Sequence, residues 1–361
     1  MKKVIVAFLI WRIVLFIVAA QSPLFIKNFA ATFPYYQERL ISTHLPHFIW
    51  AFGNFDGVHY LGIASHAYSD QFTQAFFPFY PLLIKLVTYM SFGNLLISGL
   101  IISNVAFFAA LLLFYKLIEK NYGEKLALWS SLFLLAFPTS FYFGSVYTEA
   151  IFLLEVVSFY YLQDIKKPFL SAIVGAFAAF TRLIGVFLAL IFLKKDLKSL
   201  VYGVVVSLGL FVYMVYLWFN FKNPLYFLSS QSIFGQNRET DKIVLLPQVL
   251  FRYLKILTTA QGSGLYVAIF EFSITIIAFL LLALAFRTYK KSWVIFGLAS
   301  IILPTLTGTL ASMPRYVIIA FPIYLVLAQI KSTALKILII VASSALGTIA
   351  LSFFAQGYWV A

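Results

Sequence analysis

Apolar residues along this chain are gathered into long runs separated by short polar and basic stretches. The runs cover residues 4–20, 94–115, 126–142, 148–163, 199–219, 265–286, 292–310, 315–330 and 335–354. Several approach the ~20 residues that carry a helix across ~30 Å of hydrocarbon, so each predicts a membrane helix. A tenth apolar stretch, 168–193, lies between Lys166-Lys167 and Lys194-Lys195. As one tilted helix it would place the two lysine pairs on opposite sides of the membrane, against the Lys/Arg bias of cytoplasmic loops. Two half-helices meeting near Thr181-Arg182-Leu183-Ile184-Gly185 keep both pairs on one side, and at ~1.5 Å per residue neither leg crosses. The tip then lies inside the outer leaflet. Arg182 becomes an intramembrane cation, which is costly unless it faces a cavity or a partner.

The pattern predicts an all-α polytopic membrane protein, one integral membrane domain over residues 1–361, with about eleven transmembrane or half-membrane helices. Two long polar intervals remain, 21–93 and 220–264, and both are expected on the non-cytoplasmic side. The first contains amphipathic aromatic stretches such as Phe48-Ile49-Trp50-Ala51-Phe52, read as interfacial helices. In this topology Lys2, Lys3, Lys116, Lys120, Lys125, Lys166, Lys167, Lys194, Lys195, Lys198, Arg287, Lys290, Lys291, Lys331 and Lys336 face the cytoplasm, more than half of the chain's 26 basic residues. The N-terminus is then cytoplasmic in a multi-pass protein of the cell membrane. The start could also be read as a signal peptide ending near Ala19-Ala20-Gln21-Ser22, but Arg12 interrupts its apolar run, and a retained first helix fits the topology better.

Composition agrees with this reading. Hydrophobic residues make up 63% of the chain and charged residues 11%, against about 25% charged in soluble domains. The net charge of +14 is distributed in clusters between apolar runs, which points to topology rather than to nucleic acid. With no cysteine there is neither a disulfide framework nor a thiolate metal site.

The densest chemistry lies in Phe52-Gly-Asn-Phe-Asp56-Gly-Val-His59-Tyr60-Leu-Gly-Ile-Ala64, followed by Ala75-Phe-Phe-Pro78-Phe-Tyr80-Pro81. If the residues after Gly57 are helical, Asp56, His59 and Tyr60 stand at i, i+3 and i+4 on one face. A carboxylate beside an apolar wall can take the proton of a hydroxyl nucleophile. The plainer reading makes Asp56 a helix N-cap and His59 a headgroup contact. His44 and His47 are three apart, but Pro46 intervenes and no carboxylate lies at ligand spacing, so no metal is expected. No Gly-rich phosphate loop is present to bind a nucleotide donor.

The first segment resembles the first-loop motif of the PIG-V family, the second mannosyltransferases of GPI-anchor assembly, and their prokaryotic relatives. Phe137-Pro138 through Tyr147-Thr148-Glu149-Ala-Ile-Phe152 is similar to a second motif of that family, with Thr148 where the family usually has Ser. Thr181-Arg182-Leu-Ile-Gly185 is similar to its Thr-Arg-x-x-Gly turn, and Pro314-Arg315-Tyr316 with Phe321-Pro322 to its late Arg-Tyr motif. The four occur in the family order from residue 52 to 322. The loop before Gly264 has no counterpart.

The resemblance implies a GT-C bundle and an inverting glycosyltransferase working on the non-cytoplasmic side. Its donor would be a polyprenyl-phosphate sugar, usually mannose, and its acceptor a glycolipid or glycan hydroxyl. Asp56 matches the expected catalytic base, and His59, Tyr60, Tyr80, Glu149, Arg182, Arg315 and Tyr316 are candidate substrate-binding residues. The lipid-phosphate sugar is a substrate, and no cofactor is implied. Beyond the bilayer and the substrates, a small membrane subunit is a further candidate partner.

Arg182 or Arg315 is expected near the donor phosphate, with pairing to Glu149 or Glu155 as the alternative. A protein O-mannosyltransferase would show paired acids where Gly57 follows Asp56. The competing readings are a lipid or glycolipid flippase, with Arg12, Arg182 and Glu271 along its path, and a non-catalytic subunit retaining the fold. The sequence gives Arg12 and Glu271 no partners.

Overall fold

The computed structural model describes residues 1–360 except 31–32, 92, 194–195 and 235–237; the expected cytoplasmic pair Lys194-Lys195 lies outside the described residues. Among these residues the secondary structure is helical, without a strand. We label the α-helices longer than four residues α1 (Lys2–Phe25), α2 (Asp56–His66), α3 (Phe79–Thr88), α4 (Leu95–Tyr122), α5 (Glu124–Ala136), α6 (Glu149–Asp164), α7 (Pro168–Thr181), α8 (Leu197–Phe221), α9 (Leu246–Thr259), α10 (Gly262–Thr288), α11 (Lys291–Thr305), α12 (Met313–Val317), α13 (Pro322–Ala328) and α14 (Thr333–Ala355).

Five of these, α1, α4, α8, α10 and α14, are long and apolar enough to cross a membrane. Their outer faces carry Ile10, Ile13, Val204, Phe211, Leu280 and Val341 in the open. Such a surface is stable in lipid rather than in water. At the centre, α6 is buried along most of its length, packed between α4 and α7.

The stretch 168–193 forms two packed legs, α7 and a 3-10 run over Leu183–Phe192, joined at Arg182 in an extended conformation. At ~1.5 and ~2.0 Å per residue the legs reach only about 20 Å each. The legs sit backbone to backbone: a Cβ on Gly185 would collide with the main chain of Ala178, and one on Gly209 of α8 with that of Ala176.

Three expected spans end early, each for a visible reason. The stretch 126–142 stops at Ala136, two residues before Pro138, and resumes as a 3-10 turn over Ser140–Gly144, since the residue before a proline disfavours the helical region. The stretch 292–310 stops at Thr305, one residue after Pro304. The stretch 315–330 breaks into α12 and α13, the latter restarted by Pro322 at its first position. Neither piece is long enough to cross. Val317 through Leu325 are almost wholly buried; this segment is apolar because it fills the bundle interior, not because it faces lipid.

The first long loop packs one of its edges against α1. Ala51, Phe52 and Gly53 are buried, with Phe48 and Phe52 set edge-on against Phe16 of α1. Phe48, Ile49 and Trp50 stay partly exposed, while Ala51–Gly53 pack inward and anchor the start of α2.

Candidate active site

Asp56 opens α2. The residue before it, Phe55, has φ 57° and ψ −115°, a region that costs a non-glycine residue about 1–3 kcal/mol and persists only where its surroundings fix it. Those surroundings are visible. The Phe55 ring is packed among Phe33, Phe354 and Trp359. The Asn54 amide donates to the Phe354 carbonyl at 2.8 Å. The Tyr147 hydroxyl donates to the Asn54 carbonyl at 2.9 Å and accepts from the Asp56 N–H at 3.3 Å, and the Val146 N–H donates to the Phe52 carbonyl at 2.9 Å. The second motif thus clasps the first.

The Asp56 carboxylate is hydrogen-bonded and ion-paired with the Arg315 guanidinium. Arg315 Nε lies 3.3 Å from Glu149 Oε1, close enough for ionic attraction though without a hydrogen bond, and the same oxygen accepts from Arg182 Nη1 at 2.9 Å. Aspartate, arginine, glutamate and arginine form one chain of alternating charge, with a member from each of the four motifs. Burial opposes the charge on Arg315, but Asp56 and Glu149 outweigh it and hold the guanidinium protonated. Tyr142, Tyr147 and Tyr316 surround Arg315 at 5.4–5.7 Å from ring centre to guanidinium, and Tyr316 also lies 5.3 Å from Arg182. Burial raises the Tyr316 phenol, yet Arg238, Arg315 and Arg182 together bring it below its ordinary value.

This network forms one wall of a cavity of about 990 Å³. Asp56, His59, Tyr60, Glu149, Arg182, Arg315 and Tyr316 all line it. Tyr80 does not: it is fully buried, with its hydroxyl on the Gly99 carbonyl and Ser103. The His59 ring stacks on Phe76 and meets the edge of Phe234, and its Nδ1 has no hydrogen-bond partner. Burial pushes the His59 pKa down to about 4 against the pull of Asp56, so the ring is neutral at pH 7. Glu149 Oε2 and Trp359 Nε1, buried atoms of lining residues, likewise have no hydrogen-bond partner. Neutral imidazole, carboxylate oxygen and indole N–H together suit the hydroxyl groups of a polar ligand.

A second wall comes from the second long loop, the end of α11 and the turn after it, including Leu228, Ile233, Arg238, Ile243, Leu303 and Leu306. The loop is fastened to that turn by the Glu239 N–H on the Thr307 carbonyl at 2.8 Å and the Val244 N–H on the Leu306 carbonyl at 3.0 Å. None of these residues belongs to a motif, and hydropathy and spacing do not single them out. The same is true of Arg39, which donates to the Val58 carbonyl and pairs with Asp70 at 2.6 Å, bracing α2. Gly62 leaves the space that Arg39 occupies.

Of the residues considered for a transport path, only Arg182 lines the cavity. Arg12 lies over the Phe16 and Phe52 rings, 4.0 and 4.6 Å from their centres. Glu271 accepts from the Tyr253 hydroxyl at 2.7 Å and the Ser312 N–H at 3.2 Å. Glu155 accepts from Thr181. His47 is engaged by the Ala355 carbonyl at 3.0 Å.

No protein-family model matches the chain, and no curated protein matches it. Among solved structures it is similar to the Archaeoglobus fulgidus oligosaccharyltransferase. The complex of that protein with zinc and sulfate aligns at 14% identity with a TM-score of 0.48, over 95% of this chain and 53% of the other. The apo form aligns at 15% with a TM-score of 0.49, over 98% and 56%. The chain spans about half the length of the structures it matches.

Proposed function

We propose that the protein is a membrane glycosyltransferase of the GT-C type, resembling the PIG-V branch, which moves a sugar, mannose by that resemblance, from a polyprenyl-phosphate donor to a glycolipid or glycan hydroxyl on the non-cytoplasmic side. The observation that carries this reading is the placement of Asp56. Its carboxylate opens onto a large cavity, is held at a fixed turn, and stands beside a charge network assembled from all four motifs.

In the proposed step Asp56 takes the proton of the acceptor hydroxyl as the acceptor oxygen bonds to the anomeric carbon. The bond from that carbon to the phosphate oxygen breaks, its electron pair leaves with the polyprenyl phosphate, and the anomeric configuration inverts. General-base assistance of this kind contributes on the order of 10²–10⁴-fold. Asp56→Asn keeps the size of the side chain while removing the base. Transfer from polyprenyl-phosphate mannose in proteoliposomes should fall by roughly that factor, with the thermal unfolding midpoint measured alongside. A folded variant that turns over at the wild-type rate would sink the assignment.

A further inference from the structure

We propose that Arg238, on the second long loop, holds the phosphate of the lipid donor, in place of Arg182 and Arg315. This rests on the transferase reading above and assigns a residue within it. Arg182 and Arg315 are already committed to Glu149 and Asp56, so that in this network two positive charges offset two negative ones. A lipid phosphate entering the cavity adds negative charge, and an uncompensated charge away from water is strongly unfavourable. Another cation is required.

Lys242 and Arg252 both pair with Glu239, at 2.8 and 2.6 Å. The hydrogen bond of the Arg238 side chain goes instead to a neutral group, from Nη2 to Ser312 Oγ at 3.2 Å. Among the described residues it has no carboxylate at ion-pair distance, Glu271 on the other side of the Ser312 contact acting on it from farther away, and the guanidinium fork presents further N–H groups suited to phosphate oxygens. Its position is also suitable. Ser312 lies three residues before Arg315, so Arg238 reaches the turn that leads into the charge network. Ile243, Leu303 and Leu306, from the same wall of the cavity, supply apolar surface for the chain of the lipid. The backbone bonds from Glu239 and Val244 to the turn after α11 fix the segment C-terminal to Arg238.

The test uses the full-length chain in phosphatidylcholine nanodiscs, with binding measured for polyprenyl phosphate, the corresponding polyprenol and inorganic phosphate. Arg238→Gln should weaken polyprenyl phosphate at least tenfold and leave polyprenol within twofold, with Arg238→Lys intermediate. Wild-type protein should prefer polyprenyl phosphate to inorganic phosphate. Unchanged affinity in Arg238→Gln, equal loss of both lipids, or an equal loss in Lys242→Gln would each overturn the assignment and leave the transferase reading standing. A wild-type protein that does not distinguish polyprenyl phosphate from polyprenol would remove the transferase reading itself.

Discussion

The two walls of the cavity are built on different principles. On the motif wall every charge meets an opposite charge, Arg315 and Glu149 are buried with Asp56 and Arg182 at the cavity edge, and the backbone is clasped at Asn54 and Asp56 by Tyr147. On the loop wall Glu239 and its partners are partly open to solvent, with Lys242 63% exposed, and Arg238 touches a neutral hydroxyl. The contrast separates two tasks. A buried, mutually neutralised network keeps a carboxylate at one place and orientation, whereas a half-open wall with an uncommitted cation can admit and select a ligand.

Removing Arg315 should separate the walls most clearly. Arg315→Gln leaves Asp56 and Glu149 facing each other without their shared guanidinium. Breaking a buried pair in this way costs about 3–5 kcal/mol, to be read from the unfolding midpoint in detergent, and transferase activity should be lost. Arg315→Lys should restore little, because an ammonium cannot serve two carboxylates with a planar fork. A variant as stable as wild type would show that the guanidinium does not hold the two carboxylates together.

Next in size is the pH response of the motif wall. His59 is neutral in the fold, with a pKa of about 4 against an ordinary 6.5, so on acidification the unfolded chain takes up its proton first. The stability due to neutral His59 is complete above pH 6.5 and is lost as the pH falls towards 4, by about 3 kcal/mol in total. Unfolding midpoints between pH 7.5 and 4.5 should decline less steeply in His59→Gln than in wild type. Equal slopes would count against the burial of the ring.

The smallest effect belongs to the loop wall. The Glu239–Arg252 pair is 22% and 33% exposed, and such pairs are worth roughly 0–1 kcal/mol. A double-mutant cycle with Glu239→Gln and Arg252→Gln should give a coupling of that order in stability. A coupling near that of Arg315 with its carboxylates would erase the distinction between the walls.

Much of the helical architecture was legible in the chain because hydropathy marks the long apolar helices. The two legs meeting at Arg182 are expected because the two lysine pairs bracket too little apolar sequence for two crossings and, by the Lys/Arg bias, the wrong charge pattern for one. Hydropathy cannot separate lipid from protein interior, which is why 315–330 read as a span although it lies broken inside the bundle. At the site, four motifs scattered along the chain meet, and seven of the eight candidate residues line the cavity. Tyr80 shows the limit of a motif: its neighbours in sequence border the cavity, while its own hydroxyl ties α3 to α4. Arg238 was illegible for the opposite reason. It sits in a loop without pattern, and only the fastening of that loop to the turn after α11 brings it to the cavity.

The Tyr147 clasp bears on how such a protein can change. One phenol oxygen serves both the carbonyl of Asn54 and the N–H of Asp56, across more than ninety positions of sequence. The two stretches are therefore a single structural part, and a change in either would disturb the other. Grafting residues 52–64 alone into another scaffold would transplant an aspartate without its orientation, whereas moving them together with 142–149 would transplant the turn as well.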